Sequence, residues 1–217
     1  MRRATGYGRG LRATSPSDDM TDDRSAPPPP DGRDLWVFAY GSLIWDPGFE
    51  FAEARPALLR GYHRAFCLYS KRYRGTPERP GLVLGLDRGG ACRGLAYRVA
   101  AQLVPATWAY LWEREMSNRS YECRTLRLDT AQGHVAARGF VVDRHHPNYA
   151  GKLDPARVAA TICAAEGQRG PCIAYLENTV RHLDQLGIPD RRLHALLRLV
   201  RARRAAPVRA AGDPAAR

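Results

Sequence analysis

Glu113 and Glu115, in the run Trp112-Glu113-Arg114-Glu115-Met116, are the carboxylates best placed to move a proton in this chain. Two positions apart on a helix, they point to different sides. One can face the interior while the other meets water or pairs with an arginine, although both also fit as ordinary solvated helix acids. A second region of interest is Trp36-Val37-Phe38-Ala39-Tyr40-Gly41-Ser42-Leu43-Ile44-Trp45, an apolar run that ends in glycine and a hydroxyl residue. Glycine at a strand exit lets a ligand approach the main chain, and the Tyr40 to Leu43 turn suits a small anionic molecule, or is simply a turn. Ser42 lacks the Gly-x-Ser-x-Gly elbow of a nucleophilic serine, and no triad order is readable. His134, His145 and His146 have no metal-ligand spacing, and the glycines make neither a Walker loop nor a dinucleotide fingerprint. The residues show no sign of a metal or a cofactor, and by themselves leave the two acids as either solvated helix residues or a site for proton transfer.

The elements that must position these residues follow from the pattern of apolar residues. Trp36 to Ala39 is too short and too densely apolar for a helix and reads as a buried strand. Residues 57–70 read as a strand bent at Gly61, and residues 71–81 as a loop. Strands follow at 82–87 and 92–99, with a turn predicted at Arg88-Gly89-Gly90. The spacing of Leu103, Trp108, Leu111 and Glu115 changes to a helical period over 101–116, with Pro105 in the first turn. Strands resume at 122–128 and 134–142. Helices at 155–166, 172–186 and 190–204 are punctuated by Gly167, Gly170-Pro171 and Gly187-Ile188-Pro189. Strands first and helices last imply an α+β fold with a helical C-terminal third.

The chain has 217 residues, enough for one domain with a substantial core. Residues 1–33, with Pro27-Pro28-Pro29-Pro30, bury too little apolar surface to order themselves and read as a disordered leader. The folded domain is expected over 34–204, and 205–217 as a flexible tail. No apolar run approaches the ~20 residues of a membrane span, and the start of the chain lacks a signal peptide's apolar stretch. Cys67, Cys92, Cys123, Cys163 and Cys172 are dispersed with no CxxC, as in a reduced cytoplasmic protein. The net charge of +12 is concentrated in 190–217, which hold eight Arg and two Asp. Lys71 and Lys152 are the only lysines, so the basicity can reflect GC-rich coding as much as a nucleic-acid partner. The absence of aromatic residues in 190–217 also argues against base stacking.

Taken together, the segments resemble the ChaC-like gamma-glutamylcyclotransferases over about 35–200. The resemblance rests on an ordered set: Phe38 to Trp45; Arg60-Gly61-Tyr62-His63-Arg64-Ala65-Phe66; Arg74-Gly75-Thr76; and Pro80 to Leu86. Arg114-Glu115-Met116 with Tyr121 follows, then His146-Pro147-Asn148-Tyr149, then Gly170-Pro171 ahead of Tyr175-Leu176, and the Leu186-Gly187-Ile188 break. It implies a mixed, barrel-like sheet flanked by helices. It also implies cleavage of a gamma-glutamyl amide, typically glutathione, to 5-oxoproline and cysteinylglycine. The substrate's own α-amine attacks its γ-carbonyl, so neither a protein nucleophile nor a metal is required.

In that reading Glu115 is the catalytic acid and base, facing a pocket while Glu113 does not. A peptide amine titrates near ~8 and a free Glu near ~4.3, a gap worth about 5 kcal/mol, so the carboxyl must have its pKa raised by burial. The resemblance places Tyr40, Gly41, Ser42 and Leu43 on the opposite wall. The N–H groups of Gly41, Ser42 and Leu43 would bind either the substrate α-carboxylate or the oxyanion. Tyr121 and Tyr149 match tyrosines found near the substrate, and Arg74 is a candidate for a substrate carboxylate. The chain departs from the family in two places. Ser117-Asn118-Arg119-Ser120 precedes Tyr121 where many relatives have Gly-Gly, and Ile173 stands where relatives often carry Asn. Competing readings are a cyclotransferase for another gamma-glutamyl conjugate, a non-catalytic gamma-glutamyl sensor, and a nucleic-acid binder using the Arg-rich C-terminus.

Overall fold

The computed structural model describes residues 32–205. The readings of a leader and a tail lie outside the described residues, except at residues 32, 33 and 205. The first strand, β1 (Leu35–Ala39), is buried on almost every side chain. It passes into a single 3₁₀ turn at Ser42–Ile44. Two long strands follow, β2 (Glu53–Ser70) and β3 (Gly81–Val99), paired antiparallel over their length. After α1 (Val104–Met116) comes a hairpin of β4 (Tyr121–Thr130) and β5 (Gly133–Val142).

The five strands close into a barrel in the order β1-β3-β2-β4-β5, sealed by a parallel contact of β1 with β5 at Val37 and Arg138. Closure protects edges that would otherwise pair with other chains. Phe38, Leu128 and Phe140 are buried in the core, as are Leu84 and Leu86. Three helices dominate the C-terminal third: α2 (Pro155–Ala164), α3 (Cys172–Gln185) and α4 (Arg191–Ala205). The α+β fold with a barrel-like mixed sheet and helical C-terminal third is therefore the observed one.

Two local expectations are corrected. Arg88-Gly89-Gly90 does not reverse the chain, and 82–87 and 92–99 are parts of the one strand β3. Gly89 and Gly90 have φ of +98° and +71° and lie opposite Gly61 at +83°. The ladder steps from Arg60–Ala91 to Tyr62–Arg88 across this bulge. The glycines bend both strands together, as bulges do. The helix expected at 155–166 stops at Ala164, because Glu166–Gly167 (β6) pairs with Gly170–Pro171 (β7) as a small hairpin. Its start is fixed by Asp154, whose Oδ1 accepts from the Ala156 N–H at 2.8 Å.

Barrel and helices are tied together by Arg64, whose side chain is only 3% exposed. Its Nε donates to the Tyr40 carbonyl, its Nη2 to the Arg93 carbonyl at 2.7 Å, and its Nη1 to Asp190 Oδ2 at 2.9 Å. The other oxygen of Asp190 accepts from the N–H groups of Arg192 and Leu193, capping α4. Removing a buried partner of this kind costs about 3–5 kcal/mol because the other charge stays desolvated. Arg64→Met should therefore lose stability on that scale in urea denaturation. A loss below about 1 kcal/mol, the scale of an exposed pair, would contradict this role.

Candidate active site

Glu115 sits in the last turn of α1, a helix that buries Thr107, Trp108 and Leu111 against the barrel. Its side chain is 16% exposed and lines a cleft, whereas Glu113 is exposed to solvent. Tyr40, Gly41, Ser42 and Leu43 form the facing wall. Leu84, Tyr121, Phe140 and Tyr175 complete a narrow cleft, with a cavity volume of about 30 Å³, that opens partly to solvent.

The loop wall is held by its own turn and by an arginine. The turn's first bond runs from the Ile44 N–H to the Gly41 carbonyl at 2.9 Å. The N–H groups of Gly41, Ser42 and Leu43 lie ahead of that bond and take no part in the turn. Arg114 reaches across from α1: Nη2 donates to Ser42 Oγ at 3.0 Å, and Nη1 donates to the Asp46 carbonyl at 2.7 Å. Nη1 also meets the Tyr110 hydroxyl at 2.6 Å, and Nε lies 3.2 Å from Glu115 Oε1. One guanidinium thus fixes both the loop and the neighbouring carboxylate.

Gly41 is constrained by approach. A Cβ there would stand 3.3 Å from the Tyr175 hydroxyl oxygen. The first half of β3 lies beyond the reach of β1, which pairs only with residues 95–99. On that open edge the Leu84 carbonyl accepts from the Tyr121 hydroxyl at 2.9 Å.

The electrostatics follow from burial. Loss of water raises the Glu115 carboxyl above its ordinary 4.5, and the charge and hydrogen bond of Arg114 reverse this only in part. Desolvation first, and then the negative charge of Glu115 among other groups, pushes up Tyr40, Tyr121 and Tyr175. All three stay protonated near neutral pH. The cleft therefore offers one carboxylate with raised proton affinity among neutral hydroxyls.

Not every expected residue enters this cleft. Tyr149 lies outside it, donating to Asp87 Oδ2 at 2.9 Å beside the Arg144–Asp87 ion pair. Arg74 is at the rim, its guanidinium 5.5 Å from the centroid of the Tyr175 ring. Sequence reasoning gave Arg114 no anchoring role and did not select Leu84, Phe140 or Tyr175 as cleft residues. The polar run 117–120 makes a turn in which the Asn118 side chain accepts from the Ser120 N–H at 3.0 Å. Arg119 adopts φ +54°, a conformation that glycine takes with less strain. Ile173 is buried in the first turn of α3, so an apolar side chain is accommodated there.

A family model described as ChaC-like protein matches residues 35–203. The chain belongs to the ChaC-like family. It is 38% identical over 169 residues to the glutathione-specific gamma-glutamylcyclotransferase of Escherichia coli, covering 77% of this chain and 73% of that protein. It is 33% identical to gamma-glutamylcyclotransferase 2-3 of Arabidopsis thaliana, covering 77% of this chain and 88% of the relative. The fold is similar to a crystal structure of the yeast gamma-glutamylcyclotransferase specific to glutathione. The TM-score is 0.73 at 21% identity, over 78% of this chain and 96% of that one.

A carboxyl with a raised native pKa holds its proton more tightly folded than unfolded. Native stability therefore falls as pH rises from about 4.5 through the raised value. Glu115→Gln removes this loss. The stability difference between Glu115→Gln and the parent should shift in favour of the variant between pH 4.5 and neutrality, read by urea denaturation. A difference independent of pH would contradict the raised pKa.

Proposed function

We propose that this chain is a gamma-glutamylcyclotransferase that cleaves glutathione to 5-oxoproline and cysteinylglycine, with Glu115 as the acid and base. The observation that carries the reading is the placement of Glu115. It is a desolvated carboxyl lining the same cleft as Gly41, Ser42 and Leu43, whose N–H groups take no part in the turn's own bonds. Relatives named glutathione-specific, at 38% and 33% identity, support the substrate.

The reaction needs the substrate folded on itself, amine against γ-carbonyl, and fixing that conformer supplies much of the rate. Glu115 takes a proton from the α-ammonium, and the freed amine attacks the γ-carbon. Donors on the 40–43 wall and the neutral tyrosine hydroxyls meet the charge that develops on oxygen. The proton on Glu115 then passes to the leaving nitrogen as the amide C–N bond breaks, and the freed carboxylate takes the second proton from the ring nitrogen and yields it to the released amine. The raised pKa of Glu115 narrows the mismatch with the amine. We further propose that residues 34–204 act as one catalytic domain. No helix among the described residues is long and apolar enough to cross a membrane. All five cysteines are free, which supports a reducing, cytoplasmic setting.

Glu115→Gln should reduce formation of 5-oxoproline from glutathione by roughly 10²–10⁴-fold, the usual contribution of a positioned acid or base. Its circular dichroism should be unchanged. Near-parental turnover by a folded variant would sink the assignment. Turnover of other gamma-glutamyl amides, with glutathione untouched, would keep the chemistry and change the substrate.

A further inference from the structure

Beyond Tyr175 the cleft meets a cationic rim. Arg74 lies over the Tyr175 ring, and its Nη1 donates to the carbonyl of Arg169 at 2.6 Å and, more distantly, to that of Pro171 at 3.4 Å. Those two bonds occupy Nη1 and leave the N–H groups on Nε and Nη2 open. Arg169 stands at the tip of the β6–β7 hairpin, its guanidinium 4.7 Å from the centroid of the Tyr73 ring. Burial first, and then the like charge of Arg169, lower the Arg74 pKa against the opposing effects of Tyr175 and Cys172. The two cations are close enough to repel. Neither has a carboxylate partner among the described residues, and Glu166, the hairpin's own acid, pairs with neither.

The hairpin is held firmly. The N–H groups of Gln168 and Arg169 donate to the carbonyls of Arg72 and Tyr73 at 2.9 and 3.0 Å. Gly167 packs so closely that a Cβ there would meet the Gly75 nitrogen at 2.5 Å. Two unneutralised guanidiniums on a fixed backbone are a preorganised receptor for a carboxylate.

Resting on the cyclotransferase reading, we propose that Arg74 and Arg169 form a subsite for a carboxylate at the far end of the substrate. They thereby select gamma-glutamyl peptides with a free C-terminus over neutral gamma-glutamyl amides. The reach is suitable: two extended residues beyond the γ-carbonyl span about 7 Å, and Arg74 is one aromatic ring away from the cleft. The subsite binds the leaving half of the substrate, so it acts on specificity and takes no part in proton transfer.

The test compares glutathione with the same tripeptide amidated at its C-terminus. kcat/KM for both is measured on the parent, Arg169→Gln and Arg74→Gln/Arg169→Gln, with circular dichroism to confirm folding. The affinity of each protein for both compounds is measured by calorimetry. The parent should prefer the free carboxylate by about tenfold, the scale of one charge-assisted hydrogen bond. That ratio should fall toward one in Arg169→Gln and in the double variant. Equal use of both compounds by the parent, or an equal loss on both in the variants, overturns the subsite. If neither compound is turned over, the cyclotransferase reading fails, and the binding ratio still decides the subsite. Tighter binding of glutathione that Arg169→Gln abolishes supports it, while equal or absent binding overturns it.

Discussion

The loop from Tyr40 to Ser42 is gripped by two arginines carried on different elements, β2 and α1, and the geometry of the cleft depends on that grip. Arg64 holds the Tyr40 carbonyl from within the barrel and carries the connection on to the cap of α4. Arg114 holds Ser42 and the Asp46 carbonyl from α1. A strand exit that would otherwise be free to move is thereby fixed against the helix that carries Glu115. Because both clamps are guanidiniums, each satisfies several acceptors at once with one buried or half-buried side chain, which an ammonium on a flexible stem does less well.

Once the loop is fixed, burial sets the chemistry. Glu115 shares a small, poorly hydrated space with three tyrosine hydroxyls, and that space resists a second negative charge. The carboxyl keeps its proton more readily than in water, and the tyrosines stay neutral donors. Arg114 opposes this without cancelling it. The arrangement places a carboxyl of raised proton affinity in a narrow cleft among neutral hydroxyls.

Much of this was legible in the residues, and the failures are instructive. The α+β class followed from where the hydrophobic period changes from two to three or four, and the opposition of Glu113 and Glu115 followed from helix geometry alone. The glycines at 89 and 90 were misread because a turn and a bulge need the same positive φ. Only the partner strand, with Gly61 opposite, distinguishes them. Tyr175 was invisible as a site residue because it shares a helix face with Leu176 and Thr179, where an aromatic looks like core. Leu84 contributes through its backbone, which carries no sequence signal. Tyr149 shows the converse: a motif residue whose hydroxyl is occupied by Asp87, outside the cleft.

The central claim is that the substrate's amine, not water and not Ser42, attacks the γ-carbonyl. Turnover of glutathione in water enriched with ¹⁸O, followed by mass spectrometry of the products, tests it most directly. The account predicts 5-oxoproline and cysteinylglycine with no solvent oxygen in either. Free glutamate carrying the label in its γ-carboxyl would mean that water attacks, and would contradict it.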